Sequence, residues 1–226
     1  MRGVGHPSCG PEACRCGRAA CDSPLAAACS ARRNAQSSDA DVGSPASAGT
    51  TRQERQPVTE TVVRPYGPSD LRVCRGLWAA LTEAHRDLYD DPTIGGEDPG
   101  LAFDGHLARV GAERVWVAEV ARSVVGFAGL IVEDDEAEVE PVVVSPECRR
   151  EGVGGLLVAR VVAEARTLGV RYLNVRPVAR NADAIRFFHQ AGFVNLGHVE
   201  LFMDMRPADG REWGDGQTVH GRRFRL

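Results

Sequence analysis

The sequence predicts an α/β domain with a mixed sheet, joined to a long N-terminal segment that does not fold. Three observations lead to this prediction. Residues 1–57 contain almost no large apolar side chains, apolar runs of strand length alternate with helical periodicities over residues 58–205, and glycines stand where helices should end. At 226 residues the chain is long enough for one domain with a full core and an appendage, so we divide it into residues 1–57 and 58–226.

The segment 1–57 is predicted to be a disordered leader. It consists mainly of Ala, Gly, Ser, Pro, Arg and Asp in no regular period, and such a segment cannot bury enough apolar surface to offset the entropy of ordering. Its five cysteines lack the paired C-x2-C spacing of familiar zinc sites, so we predict no metal site. A zinc module in the leader remains an alternative. The cysteines are Cys9, Cys14, Cys16, Cys21 and Cys29.

Charge and hydropathy exclude some partners. The formal net charge is −4, which gives no reason to expect nucleic acid or an anionic membrane as a partner. No apolar run approaches the length needed to span a bilayer. We therefore expect a cytoplasmic protein without a membrane partner.

The first elements of the domain are a strand and two helices. Thr61–Arg64 reads as a short strand, and Ser69 or Asp70 can cap the helix that follows. The stretch "DPTIGGEDPG" ends that helix, and Leu101–Val110 is predicted to form a second one. The first helix shows apolar or aromatic side chains at helical spacing: Leu71, Cys74, Trp78, Leu81, His85 and Leu88.

Three strands and a helix come next. Val115–Val120 and Val124–Val132 are predicted strands joined by a hairpin turn at Arg122-Ser123, and Ala137–Val144 is a third. After a glycine-rich turn, a helix presents Val153, Leu157, Val161, Ala165 and Leu168 on one face, and Gly169 ends it.

The last predicted elements complete the sheet. Val170–Val175 is a strand, Asn181–Ala191 is a helix that Gly192 ends, and Val194–Met205 supplies one or two closing strands. The order β-α-α-β-β-β-α-β-α-β(-β) is typical of an α/β domain with a mixed sheet.

The glycine-rich turn "CRREGVGG" is the first candidate for a binding site. A strand that enters such a turn and then a helix leaves the first helical N–H groups unpaired, and these favour an anion. Arg149 and Arg150 add positive charge beside them. Neither G-x-G-x-x-G nor G-x4-G-K-[ST] is present, so the turn alone leaves tight packing and phosphate binding both open.

Two segments carry a resemblance to a known family. "VVVSPECRREGVGG" resembles the acetyl-coenzyme A signature of the GNAT superfamily of N-acetyltransferases, with Arg149, Gly152 and Gly154 at its specified positions. "NADAIRFFHQAGF" is similar to the later family motif. The resemblance covers about residues 60–205 and implies a GNAT-like mixed, largely antiparallel sheet with a splayed central strand pair and flanking helices.

The resemblance also implies a donor and the residues that hold it. Acetyl-CoA is the expected acetyl donor substrate, and the strand before the signature is expected to pair with pantetheine. Pro141 suits this irregular strand, because proline is tolerated at a bulge or an edge. The implied coenzyme A contacts are Val142, Val143, Val144, Arg149, Arg150, Glu151, Gly152, Val153, Gly154, Gly155, Asn181 and Phe188.

Amide formation from a thioester needs a base, a polarised carbonyl and a proton for the thiolate. Glu140 and Glu138 alternate onto one face of their strand, and the resemblance makes Glu140 the first candidate for the base and Glu138 the second. A solvated or salt-bridged glutamate beside the acidic turn is the alternative. Phe188 stands where the family commonly has a tyrosine that protonates the thiolate, so no acid is identified there. Asn181 also suits a helix N-cap.

An acidic segment near the end of the first helix bears on the acceptor that the protein uses. The predicted loop after the first helix carries Asp87, Asp90, Asp91, Glu97 and Asp98, which fits either a solvated acidic loop or the binding of a cationic amine. We expect an N-acetyltransferase that acts by direct attack of a primary amine of a small molecule or peptide. A catalytically weak coenzyme A-binding regulatory domain is the alternative. The basic C-terminus "GRRFRL" leaves a homodimer possible.

Overall fold

The protein is described here from a computed structural model that covers residues 60–205 and 213–226, so the predicted leader lies outside the described residues. The main sheet has five strands in the spatial order β1-β2-β3-β4-β5. Its strands are β1 (Thr61–Pro65), β2 (Val115–Val120), β3 (Ser123–Glu133), β4 (Glu136–Val144) and β5 (Tyr172–Asn174). The helices are α1 (Leu71–Tyr89), α2 (Ala102–Val110), α3 (Val153–Leu168) and α4 (Ala182–Gln190).

The sheet is mixed but largely antiparallel, as predicted. β1 through β4 pair antiparallel with their neighbours, and β5 alone joins in parallel, against β4. Val120 pairs with Ser123, so the hairpin turn consists of Ala121 and Arg122, both with positive φ. The turn therefore begins one residue earlier than the sequence predicts. Positive φ at both central residues is the geometry whose twist suits a two-residue hairpin.

Helices cover both faces of the sheet, and each face has its own apolar core. On one face, α3 buries Val153, Leu157 and Val161 against alternate residues of β2, β3 and β4. On the other face, α1 and α2 bury Leu77 and Phe103 against the intervening residues. The alternation of side chains along each strand assigns successive residues to the two cores. β2 illustrates this, with Val115 and Val117 in the second core and Trp116, Ala118 and Val120 in the first.

A partly buried ion pair joins the end of β1 to the start of α1. Asp70 precedes α1 but makes no side-chain cap to it. Its carboxylate instead accepts hydrogen bonds from the Arg64 guanidinium at 2.7 and 2.9 Å and from the Gly67 N–H at 2.9 Å. The helix thus begins where predicted. The Asp70 carboxylate, however, holds the segment before the helix by binding Arg64 and Gly67 instead of capping the helix.

The C-terminal region differs from the prediction. Residues 194–205 form no strand, and the side chains of Leu196, Leu201 and Phe202 are exposed. The predicted closing strands are therefore wrong. A separate two-stranded hairpin, β6 (Asp215–Val219) and β7 (Arg222–Arg225), ends the chain and includes most of the basic "GRRFRL" sequence.

Candidate active site

The central feature of the site is an opening between β4 and β5. The two strands pair only from Glu136–Tyr172 to Glu138–Asn174, and beyond this point β4 has no strand on that side among the described residues. The pairing of β4 with β5 thus ends early, as the expected splay requires, but β5 is the last strand of the main sheet, so this pair lies at the margin of the sheet and not at its centre. The apex of the opening lies at Glu138, and the edge of β4 from there to Val144 faces the opening.

The direction of the backbone N–H and C=O groups decides which valines of β4 present them to the opening. Ser145 donates its N–H to the Val125 carbonyl of β3 at 2.8 Å. Because backbone groups of successive residues point to opposite edges of a strand, Val143 also faces β3, whereas Val142 and Val144 face the opening. The Val144 carbonyl accepts a hydrogen bond from Arg149 Nε at 3.2 Å, in agreement with this direction. Of the three predicted valines, Val143 is therefore committed to the sheet.

A β-bulge at Glu140–Pro141 separates the two halves of β4. Leu130 of β3 pairs with Val139 and Ala128 pairs with Val142, so β4 contains one extra residue there. The extra residue changes which positions face α3: Val139 before the bulge and Val142 after it both do. Glu138 and Glu140 lie on the opposite face, with α1 and α2. The irregular strand expected around Pro141 is present.

The glycine-rich turn leads from β4 into α3, and its backbone is shaped for a helix start. Gly152 has φ +82°, a left-handed conformation that other residues rarely adopt, and immediately precedes the helix. Leu156 N–H bonds to the Gly152 carbonyl at 3.1 Å, so the N–H groups of Val153, Gly154 and Gly155 precede the first helical hydrogen bond. The Val153 side chain is buried in the core, which leaves only its backbone for a ligand.

The remaining two glycines of the turn have different surroundings. A Cβ on Gly154 would lie 3.2 Å from Cζ of Phe187, so this glycine allows α4 to pack against the turn. A Cβ on Gly155 would meet nothing within 4 Å, and this glycine is exposed. Packing therefore accounts for Gly154 but not for Gly155. Arg149 and Arg150 are exposed beside the turn, and Glu151 is half-buried.

α4 places the predicted residues of the second motif. Asn181 caps the helix, because its side chain accepts a hydrogen bond from the Ala184 N–H at 2.9 Å, as predicted. Phe188 is half-buried and lies between Phe187 and Phe193, with ring centroids 5.0 and 5.7 Å away. His189 is exposed. Phe188 thus contributes an aromatic surface without a hydroxyl.

Each of the two candidate carboxylates has an arginine partner. Glu140 accepts a hydrogen bond from Arg109 of α2 at 2.6 Å, and its side chain is 37% exposed. Glu138 pairs with Arg176, and its side chain is only 14% exposed. Burial raises the pKa of Glu138 above its ordinary value, and the Arg176 charge opposes that rise. The two carboxylates are therefore chemically distinct although they share one face.

The family of the chain follows from its match to a family profile. The profile of the Acetyltransferase (GNAT) family matches residues 77–193, which contain the opening, the glycine-rich turn and α4. The chain belongs to the GNAT acetyltransferase family. No curated protein matches it significantly.

The solved structures to which this chain is similar include an N-acetyltransferase. A transcriptional regulator from Bacillus halodurans C-125 is 19% identical over 65% of this chain and 100% of its own, with a TM-score of 0.51. The PaiA N-acetyltransferase from Thermoplasma acidophilum, solved in complex with coenzyme A, is 16% identical over 59% of this chain and 89% of its own, with a TM-score of 0.50. Ard1 from Thermoplasma volcanium is 27% identical over 61% and 84%, with a TM-score of 0.49. The first two similarities support the overall fold described above.

The GNAT domain contains one polar group at the bulge that the sequence analysis missed. His106 of α2 is 4% exposed, and neither ring nitrogen has a hydrogen-bond partner. Burial lowers the pKa of His106 to about 4; the Glu140 charge opposes this shift, and the Arg109 charge adds to it. At helical spacing between Phe103 and Val110, His106 fits the pattern of a core residue. The feature of the sequence that could have identified His106 is that it is a polar residue within an apolar helix face.

The acidic loop of the GNAT domain follows α1. Arg86 donates to the carbonyls of Ile94 and Gly96 at 2.8 and 2.6 Å, which holds the loop backbone against the helix. Asp87 lies in the last turn of α1 and not in the loop, because the helix continues to Tyr89. The acidic side chains are exposed, apart from the half-buried Asp91. The loop geometry is compatible with both predicted interpretations, a solvated surface and the binding of a cationic amine.

Two negative observations concern only the described parts of the chain. Over residues 60–205 and 213–226, no helix combines the length and the apolar character needed to cross a membrane. Within the same ranges, no group of three or more His, Cys, Asp or Glu side chains is placed to hold a metal ion. The cysteines of the alternative zinc module lie outside the described residues.

Proposed function

We propose that this GNAT domain transfers the acetyl group of acetyl-CoA to a primary amine by direct attack of the amine. The observation that carries the proposal is the opening between β4 and β5, which begins at Glu138 and continues to the unpaired N–H groups at the start of α3. A linear acyl donor with a phosphate group at one end matches this arrangement of an open strand edge followed by an anion site. The family membership supports acetyl transfer as the chemistry.

The donor is proposed to lie along β4 and over the glycine-rich turn. Val142 and Val144 direct their backbone groups into the opening and are suited to pair with the amide groups of pantetheine. The N–H groups of Gly154 and Gly155, with Arg149 and Arg150, are suited to hold the pyrophosphate. Gly155 supports this assignment, because the space beside its Cα is open on the protein side.

The acceptor is proposed to approach from the face of α1 and α2. Glu138 and Glu140 lie on this face, next to the apex of the opening, and one of them takes a proton from the substrate ammonium. The free amine then forms a C–N bond as the C–S bond breaks, and a second proton passes from nitrogen to the leaving thiolate. The Val142 N–H is suited to stabilise charge on the thioester oxygen. The acidic loop supports a cationic acceptor.

One observation favours a second candidate function. Phe188 has no hydroxyl with which to protonate a thiolate, which favours a catalytically weak domain that binds coenzyme A for regulation. In the first proposal the attacking nitrogen supplies this proton, so the tyrosine is not required. The two functions differ in whether the bound thioester turns over.

The test is an amine panel with two readouts. Purified protein is mixed with acetyl-CoA and spermidine, kanamycin A or a short peptide with a free N-terminus, and both free thiol and acetylated amine are measured. Equal amounts of the two products would support acetyl transfer. Binding of coenzyme A by calorimetry without turnover of any amine would support the regulatory function, and absence of coenzyme A binding would contradict both.

A further inference from the structure

His106 places an unsatisfied polar ring in the core next to the β4 bulge. A buried neutral imidazole has one donor and one acceptor nitrogen, and both lack partners here. Leaving such groups unpaired destabilises a fold, and an apolar side chain of similar size would remove the cost. The ring is surrounded by aromatic groups, with the Trp78 ring centroid at 5.0 Å and that of Phe103 at 6.3 Å. The protein therefore keeps a polar group where packing alone favours an apolar one.

The ring lies next to Gly129, the glycine of β3 opposite the bulge. A Cβ on Gly129 would fall 2.5 Å from the Glu140 carbonyl oxygen and 2.9 Å from His106 Nε2. Any larger residue at this position would therefore clash with both the imidazole and the bulge backbone. Gly129 thus allows Nε2 to approach the same residue, Glu140, whose side chain is the first candidate for the base.

The charges around His106 come from two elements. The Glu140 carboxylate lies on β4, with Glu138 two residues earlier on the same face. The Arg109 guanidinium lies on α2, the helix that also carries His106. α1 contributes the uncharged Trp78 ring. The Arg109 and Glu140 side chains are 57% and 37% exposed, so their ion pair is screened by water and weak. A substrate ammonium that enters from this face can therefore replace Arg109 as the partner of Glu140.

We propose that His106 is a positioning residue for acetyl transfer: when the substrate ammonium displaces Arg109, an imidazole N–H of His106 donates a hydrogen bond to the Glu140 carboxylate and fixes the orientation in which that carboxylate takes the amine proton. This inference rests on the proposed acetyl transfer. The ammonium loses one proton to Glu140, the neutral nitrogen bonds to the acetyl carbon, and the thiolate leaves with a second proton from that nitrogen. His106 gains and loses no proton in this sequence.

The test compares two substitutions of His106 with a distant control. His106→Leu removes both ring nitrogens, His106→Gln keeps an N–H donor, and His220→Asn changes an exposed histidine in the β6–β7 turn, where φ is positive and asparagine is tolerated. The urea midpoint, KM for acetyl-CoA, kcat and the pH dependence of kcat are measured for each variant, with the panel amine that the wild type acetylates. The pH dependence of kcat reports groups in the substrate complex, where the proposed hydrogen bond forms. This bond favours the ionised carboxylate, so losing it moves the acidic limb of the kcat profile to higher pH.

We expect His106→Leu to keep or raise the urea midpoint, to leave KM for acetyl-CoA unchanged, and to lower kcat about tenfold or more with a shifted acidic limb. His106→Gln should recover much of kcat, and His220→Asn should match the wild type. A His106→Leu enzyme with wild-type kcat and pH profile would overturn the inference. A urea midpoint lowered enough to explain the loss of kcat in both His106 variants would also overturn it. If the wild type acetylates no amine, the proposed function itself fails and the inference fails with it.

Discussion

Gly154 of α3 and Phe187 of α4 lie so close that a Cβ on the glycine would be 3.2 Å from the phenylalanine ring. The contact joins the glycine-rich turn to the helix of the second sequence motif. A methyl group at position 154 would force a shift of a few tenths of an ångström in Phe187. Gly154 therefore serves packing, and substituting it would mix effects on the fold with effects on binding.

Gly155 separates these effects and provides the first prediction. Gly155→Ala adds a methyl group in open space, so stability should hold or rise, while affinity for coenzyme A should fall because the methyl group occupies the space proposed for the pyrophosphate. Calorimetric titration and urea unfolding measure the two quantities. Gly76→Ala is the matched control, since this exposed glycine of α1 also has nothing within 4 Å of its Cβ position. Equal affinity in both variants would contradict the pyrophosphate site.

The second prediction distinguishes the two carboxylates. If Glu140 is the base, Glu140→Gln should lower kcat by roughly 10²- to 10⁴-fold at neutral pH and leave acetyl-CoA affinity nearly unchanged. The acidic limb of the pH–rate profile should flatten, and activity should partly recover at high pH, where free amine accumulates. Glu138→Gln is measured in parallel. The larger effect in Glu138→Gln would transfer the role to the more buried carboxylate, whose pKa is already raised by burial.

The third prediction concerns stability and pH at Asp70. The hydrogen bonds from Arg64 hold the pKa of Asp70 below its ordinary value, although burial opposes this shift. A lowered folded-state pKa means that the stabilisation is present above the unfolded pKa near 4 and is lost as pH falls through the folded value. Asp70→Asn should therefore cost about 2 kcal/mol at pH 7 and progressively less below about pH 4.

Urea unfolding at a series of pH values measures this difference. The control is Asp183→Asn, which breaks an exposed i,i+3 pair with Arg186 and should cost less than about 0.5 kcal/mol. A pH-independent cost at Asp70 would show that shape, rather than charge, accounts for its contribution.

The fourth prediction concerns Asn181, which caps α4 and is also a predicted coenzyme A contact. Asn181→Asp keeps an oxygen acceptor for the Ala184 N–H, so stability should stay within about 0.5 kcal/mol of the wild type. The added negative charge should weaken the binding of coenzyme A, measured by calorimetry. Asn181→Ser is the uncharged capping control. Wild-type affinity in the aspartate variant would limit Asn181 to its capping role.

Local patterns were sufficient to predict most elements between residues 61 and 190. Helices and strands there have strong periodicity, and Gly169 and Asn181 mark helix ends by chemistry that depends only on nearby residues. Val194–Met205 shows why such patterns have limits. Its alternating apolar residues suit a strand, but a strand also needs a neighbouring strand to pair with, and no local pattern supplies that partner.

Two features of the site depend on contacts distant in sequence. The bulge at Glu140–Pro141 adds one residue opposite β3, and it decides that Glu140 and Val142 face opposite sides of the sheet, which alternation alone would not indicate. His106 has the spacing of a core residue, and only the structure shows that its ring lies next to Gly129 with neither nitrogen hydrogen-bonded. In both cases the relevant neighbour belongs to another element.

The opening between β4 and β5 also bears on self-association. An unpaired strand edge at the margin of a sheet can accept a strand from any other polypeptide, and proteins commonly protect such edges. Here the unpaired part of β4, which includes Val142 and Val144, begins where β5, the last strand of the main sheet, stops pairing, and it ends at the start of α3. The bulge at Glu140–Pro141 interrupts this edge, and Pro141 has no N–H to donate to a neighbouring strand. The edge that remains is long enough for the few amide groups of pantetheine, whereas the bulge and the proline disfavour continuous pairing with a polypeptide strand.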